Sequence, residues 1–188
     1  MRRPDFETLY QHDADPFDVA TSWYERRKEA VLLSSLTREH YASAWDAACG
    51  TGHLAHALGE RCDRVLATDA SPTAVRLTAD RTRDAPRVRA LVSRLPVRPV
   101  EAAAVELTVV AEVLYYLSDD ERARTRSMLR NQAGELVSVH WRHHPDDAYL
   151  SGAAATEELD ADLTSAGWTA AWRHDDTDFA MAGWWRYP

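Results

Sequence analysis

The run Ala44-Trp45-Asp46-Ala47-Ala48-Cys49-Gly50-Thr51-Gly52-His53-Leu54 constrains this chain more than any other segment. An apolar stretch leads into two glycines and then into a helix-forming sequence, the signature of a strand-to-helix turn. Glycines there let the backbone approach a ligand and adopt turn geometry that a Cβ obstructs. Asp69 closes the next apolar run, Val65-Leu66-Ala67-Thr68. An acid at that place can accept both hydroxyls of a ribose. Together these residues predict a site for a nucleoside-bearing cofactor. The plain structural alternative is that Asp46 caps a turn and the glycines merely end a strand.

Two cofactor types match the spacing. Gly50-x-Gly52-x-x-Ala55 satisfies the dinucleotide fingerprint. However, a chain of 188 residues leaves no separate substrate domain. Asp46 also stands where it can receive an amine or a backbone donor, and a pyrophosphate gains nothing from an acid. An aminoacyl nucleoside such as S-adenosylmethionine, with an ammonium and no phosphate, suits the turn better.

Composition narrows the rest. A hydrophobic content of 45% supports one substantial core. The net charge is −8, and acids and bases are interspersed without a basic stripe, so nucleic acid is not expected as a partner. Cys49 and Cys62 form no disulfide framework or zinc spacing. His140, His143, His144, Asp146 and Asp147 fit no closed zinc pattern, and no metal is expected. The first residues lack a signal-peptide core and no run reaches membrane-spanning length, so a cytoplasmic location without a membrane partner is expected.

Periodicity predicts alternating helices and strands. Residues 1–16 have few apolar anchors and read as a mobile arm before one domain over 17–188. Helices are expected at 17–36, 52–61, after Ser71-Pro72, at 118–131 and at 156–166. Strands are expected at 43–48, 64–68, 88–93, 105–111 and 134–141, with a terminal antiparallel pair at 168–173 and 179–187. The alternation implies an α/β, Rossmann-like parallel sheet with helices on both faces.

The Asp46–Gly52 run, Asp69-Ala70-Ser71-Pro72 and Ala111-Glu112-Val113-Leu114-Tyr115-Tyr116-Leu117 resemble class I S-adenosylmethionine-dependent methyltransferases. Phe17-Asp18-Val19-Ala20-Thr21-Ser22-Trp23-Tyr24-Glu25-Arg26-Arg27-Lys28 and Val139-His140-Trp141-Arg142 are similar to the nodulation N-methyltransferase (NodS-like) family, over residues 17–186. The resemblance implies a seven-stranded, mostly parallel sheet with an antiparallel last strand. It also implies methyl transfer to an amine of a sugar or small natural product, the family's named members acting on a chitin-type oligosaccharide. S-adenosylmethionine would be the cofactor and S-adenosylhomocysteine the product. Asp46, Gly50, Gly52, Asp69 and Ala70 would hold the cofactor, and Trp23, Tyr24 and Arg27 would close over it, Arg27 meeting the methionine carboxylate. Ser93, Arg94, Leu95 and Ala111 would complete the wall.

The chain departs from that pattern at three places. Arg94 stands where the family offers an acid before Leu-Pro, and an arginine cannot accept from the adenine amino group. Glu106 replaces an aspartate, and Gln132-Ala133-Gly134 replaces a glycine pair.

Ligands of open α/β sheets sit beyond the carboxyl ends of the strands. That rule selects Glu112 and Tyr115 after the fourth strand and His140 and Trp141 at the end of the fifth. Glu112, His140 and Tyr115 are the catalytic candidates, with Glu112 and His140 expected on opposite sides of one cavity. Tyr116 and Trp141 are candidates to bind the acceptor. Each has a structural alternative: a turn cap for Glu112, a buried hydrogen-bonded ring for His140, a core position for Trp141. An O-methyltransferase of a small natural product, or a non-methylating cofactor binder, would carry the same turn. The oligomeric state stays open.

Overall fold

A computed structural model describes residues 4–186. Seven strands form one sheet in the order β3-β2-β1-β4-β5-β7-β6. These are β1 (Ala44–Ala47), β2 (Val65–Asp69), β3 (Val88–Val92), β4 (Leu107–Ala111), β5 (Gly134–Trp141), β6 (Thr169–Asp175) and β7 (Phe179–Arg186). The first five run parallel, and β7 is antiparallel to both β5 and β6. This is the class I methyltransferase architecture expected from the sequence.

The helices are α1 (Phe6–His12), α2 (Trp23–Ser35), α3 (His53–Arg61), α4 (Pro72–Arg81), α5 (Asp119–Leu129) and α6 (Gly152–Ser165). Side chains alternate across the sheet and build a core on each face. Trp45, Val110, Leu136 and Trp184 meet Leu159 and Leu163 of α6 on one face. Ala44, Val65, Leu107 and Val137 meet Leu32 of α2 and Leu58 of α3 on the other. Burial of both faces explains the unbroken apolar run of β4.

Local chemistry sets the helix ends. Ser71 caps α4 by accepting from the Ala74 N–H, with Pro72 at the first position. Ser118 and Glu121 form a reciprocal capping box on α5. Two helices differ from expectation. The segment predicted as helix from residue 17 becomes helical only at Trp23. Before it, the Asp15 carboxylate accepts from the N–H groups of Val19 and Ala20, an alternative to helical pairing. Helix α6 starts at Gly152, four residues early, because Ser151 caps it through the Ala154 N–H.

The stretch read as an arm contains α1, which docks on α4. The Glu7 carboxylate accepts from the Ser71 hydroxyl at 2.6 Å, the Thr73 hydroxyl at 2.8 Å and the Thr73 N–H at 3.1 Å. These bonds, led by that of Ser71, hold its carboxyl down at about 2.

The strand order reverses between β1 and β4. A crevice therefore opens beyond the carboxyl ends of these strands, where the turns after β1, β2 and β4 diverge.

Candidate active site

The turn after β1 is built on three left-handed residues: Ala48 (φ 80°), Gly50 (φ 54°) and Gly52 (φ 80°). At Gly50 a Cβ would lie 3.1 Å from the Tyr10 hydroxyl, so glycine keeps the floor of the crevice open. At Gly52 a Cβ would lie 2.7 Å from Thr78 of α4, so that glycine sets helix packing and does not reach the cavity. Ala48 adopts a conformation that costs a non-glycine residue about 1–2 kcal/mol. Ala48→Gly is expected to stabilise the fold by about 0.5–1 kcal/mol in urea unfolding, the gain being trimmed by glycine's freedom in the unfolded chain.

Asp69 ends β2 and is 9% exposed. Its Oδ2 accepts from the Gly50 N–H at 3.0 Å and its Oδ1 from the Ser71 N–H at 2.9 Å. Burial raises its pKa against these two bonds. Each oxygen keeps a lone pair for a ligand. Asp46 lies deeper, below the cavity wall, and both its oxygens are buried without a partner. Burial, with Asp69 and Glu29 nearby, pushes its carboxyl up to about 7. Asp46, expected to receive an amine or a backbone donor, does not line the cavity and is 1% exposed.

The cavity has a volume of about 1010 Å³. Gly50, Asp69 and Ala70 line one end, with Ser93, Arg94 and Leu95 beside them. Tyr24, Ala111, Glu112, Tyr115, Tyr116 and Trp141 line the other. Three of the four strand-end candidates, Glu112, Tyr115 and Trp141, thus line one cavity. Trp23 is 71% exposed and lies outside it. Arg27 also lies outside, paired with Asp176 and stacked over Phe179 at 5.1 Å. The helical turn carries Tyr24 and Lys28 inward and so carries Trp23 and Arg27 outward.

His140 is a further correction. It is fully buried behind Tyr115, whose ring centroid is 5.5 Å away, and does not line the cavity. Its Nε2 accepts from the Leu114 N–H at 3.4 Å, while Nδ1 lies 3.0 Å from the Ser138 hydroxyl. Burial lowers its pKa to about 4, so it is a neutral structural ring near pH 7.

Glu112 sits at φ 52° and is enclosed by bonds. Oε1 meets the Lys28 ammonium at 2.5 Å. Oε2 accepts from the Tyr115 hydroxyl and from the Trp141 N–H, both at 2.6 Å. Burial pushes its carboxyl up, but the Lys28 ammonium, with the Tyr115 hydrogen bond, outweighs burial and leaves it below the ordinary glutamate range. Lys28 is 6% exposed and also meets Glu25 at 2.8 Å, with its ammonium 4.8 Å from the centre of the Tyr24 ring. Burial works against its charge, and the two glutamates more than restore it.

Lys28 and Glu25 lie inside the Phe17–Lys28 segment, where no role was expected of them. A signal was present: Lys28 is the sole lysine among the 22 basic Lys and Arg residues. Tyr10, which also lines the cavity, was missed because α1 was.

These features suit an S-adenosyl ligand. Asp69 has acceptor capacity facing open space beside Gly50. The buried hydroxyl of Tyr24 and Nε2 of His53 have no partner among the described residues, and both residues border the cavity.

A family model for nodulation protein S (NodS) matches residues 7–157. Nodulation protein S of Bradyrhizobium diazoefficiens is 29% identical over 144 residues, covering 76% of this chain and 64% of the relative. That of Rhizobium tropici is 33% identical over 128 residues, covering 65% of this chain and 53% of the relative. The chain therefore spans 53–64% of the length of these curated relatives. The crystal structure of N-methyltransferase NodS from Bradyrhizobium japonicum WM9 in complex with S-adenosyl-L-homocysteine superposes with a TM-score of 0.79 at 21% identity. That match covers 97% of this chain and 98% of the other, and it shows the shared fold.

Proposed function

The chain belongs to the nodulation protein S family, and from that premise we propose that it is an S-adenosylmethionine-dependent N-methyltransferase acting on an amine of a sugar or small molecule. The observation that carries the reading is one cavity at the strand carboxyl ends, with Asp69 and Gly50 at one end and a carboxylate–tyrosine cluster at the other. The cofactor would supply an activated methyl group whose leaving group is a neutral thioether.

The chain's own residues supply the rest. Asp69 would receive the ribose hydroxyls, with Ala70 beside it. Ser93, Arg94 and Leu95 would border the base, the adenine amino group being read by a backbone carbonyl or the Ser93 hydroxyl, not by Arg94. Ala111 and Tyr24 would flank the methionine end. Tyr115, Tyr116 and Trp141 would position the acceptor and exclude water, and orientation alone accounts for a large part of such rate enhancements. We place residues 17–188 in one catalytic domain, with α1 from the preceding arm covering the Asp69 end. The reading includes a small-molecule partner, no nucleic acid and a cytoplasmic location. Among the described residues no helix is long and apolar enough to cross a membrane.

Asp69→Ala is expected to weaken S-adenosylhomocysteine binding by about 1–3 kcal/mol, because two hydroxyls lose a charged acceptor. Titration calorimetry of both proteins reads this directly. The product mass after incubation with S-adenosylmethionine and a panel of amino sugars, phenols and amino acids tests the whole reading. A gain of one methyl on an amine supports it, and methylation of phenols alone would make the protein an O-methyltransferase. Cofactor binding with no methylated product would sink the enzymatic reading.

A further inference from the structure

We propose that Glu25, on the helix covering the cavity, is the group that takes the proton from the acceptor amine, with Lys28 holding it against Glu112. This rests on the methyl-transfer reading above and assigns a catalytic residue to it.

The three side chains form one unit. The Lys28 ammonium lies between Glu25 Oε1 at 2.8 Å and Glu112 Oε1 at 2.5 Å. Glu112 is spent in this arrangement, since Lys28, Tyr115 and the Trp141 N–H occupy both its oxygens. Glu25 is not. Its Oε2 has no partner among the described residues, and Glu25 lines the same cavity as Tyr24, Tyr115 and Trp141. The two carboxylates share one cation but differ in what else they touch, and their acidities part accordingly. Burial raises that of Glu25 above the ordinary glutamate value despite Lys28, with Glu112 and Asp15 adding to the rise, whereas Glu112 is lowered. Two titrating groups pushed apart by their surroundings mark which one moves a proton.

The step balances simply. An acceptor enters as R–NH₃⁺ and meets the free oxygen of ionised Glu25, with the tyrosine rings beside it favouring a cation. The proton passes from nitrogen to Glu25 Oε2, leaving R–NH₂ and a neutral carboxylic acid. Lys28, still charged and beside the site, disfavours the protonated amine by like-charge repulsion. The nitrogen lone pair is then available for attack, and Glu25 returns its proton to solvent after product leaves. The use of lysine here in a chain otherwise built with arginine fits a compact point charge wedged between two carboxylates, where a planar fork would not fit.

The experiment has two readouts on protein saturated with S-adenosylhomocysteine or S-adenosylmethionine. The first follows the glutamate carboxyl carbons by NMR through a pH titration, with Glu25 assigned by its loss in Glu25→Gln. Glu25 is expected to titrate above the ordinary glutamates and to shift when a β-linked glucosamine disaccharide is added. The second compares pH–rate profiles with that disaccharide. Glu25→Gln is expected to lose about 100-fold at pH 7, within the usual range for a general base, and to recover as free amine accumulates at higher pH. Glu25→Asp should keep part of the rate, and S-adenosylhomocysteine affinity in both variants should stay within twofold, which shows the fold intact. An ordinary Glu25 titration midpoint, or Glu25→Gln with the wild-type rate and profile, overturns the assignment while leaving methyl transfer standing. Wild-type protein that binds S-adenosylhomocysteine but methylates no amine overturns the parent reading and this assignment with it.

Discussion

His140→Gln is expected to lose less stability than the wild type as the pH falls from 6.5 to 4. The wild-type imidazole is fully buried and neutral, with its pKa lowered to about 4 by burial. In the unfolded chain it takes up a proton near 6.5. A group depressed by folding contributes stability that is complete above the unfolded value and is lost as the pH falls through the folded one. The difference amounts to about 3 kcal/mol at full protonation. Asp46 acts in the opposite sense. Burial pushes its carboxyl up to about 7, so its burial becomes less costly as the pH falls toward 4. The wild-type slope mixes these effects, and the difference between wild type and variant isolates the histidine. Urea unfolding at pH 7, 6, 5 and 4.5 measures it. Parallel curves for the two proteins would show that the ring is protonated or solvated in the folded state.

Lys28→Met is expected to cost about 3 kcal/mol at pH 8, since removing one partner of a buried ion pair strands the other. Here it strands two, Glu25 and Glu112. The loss should shrink toward pH 5. Without the ammonium both carboxyls rise above their unfolded values, and protonation then relieves the uncompensated charge. Lys28→Arg should recover only part of the stability, because the guanidinium must fit a site with 8% side-chain exposure between two carboxylates. A loss independent of pH would assign the effect to packing of the lysine stem.

The sheet was legible because its cues are local and redundant. Unbroken apolar runs marked the buried parallel strands, and Ser71-Pro72 and Ser118 marked helix starts. The cavity positions of Gly50 and Asp69 were legible for the same reason: a turn and a strand end place them without help from the rest of the chain. The other end of the cavity was harder. Whether Trp23 or Tyr24, Arg27 or Lys28 faces inward depends on where α2 starts, and the Asp15 carboxylate moves that start to Trp23 by binding backbone that a helix would otherwise use. His140 and Trp141 occupy adjacent positions at one strand end, and alternation across the sheet sends one into the core and the other to the cavity rim. Strand-end position alone cannot choose between them. The role of Glu112 was hidden too, because its acidity is set by a lysine 84 residues away.

The bonds made by Glu7 run further than the joint between α1 and α4. Glu7 accepts from Ser71, and the Ser71 N–H donates to the same Asp69 carboxylate that borders the cavity. The Asp69 end of the cavity is therefore tied, two bonds removed, to Glu7. Removing or displacing α1 therefore alters the cavity at Asp69 as well as the joint with α4. Variants that differ only at Glu7 would report different ligand affinities for the same cavity.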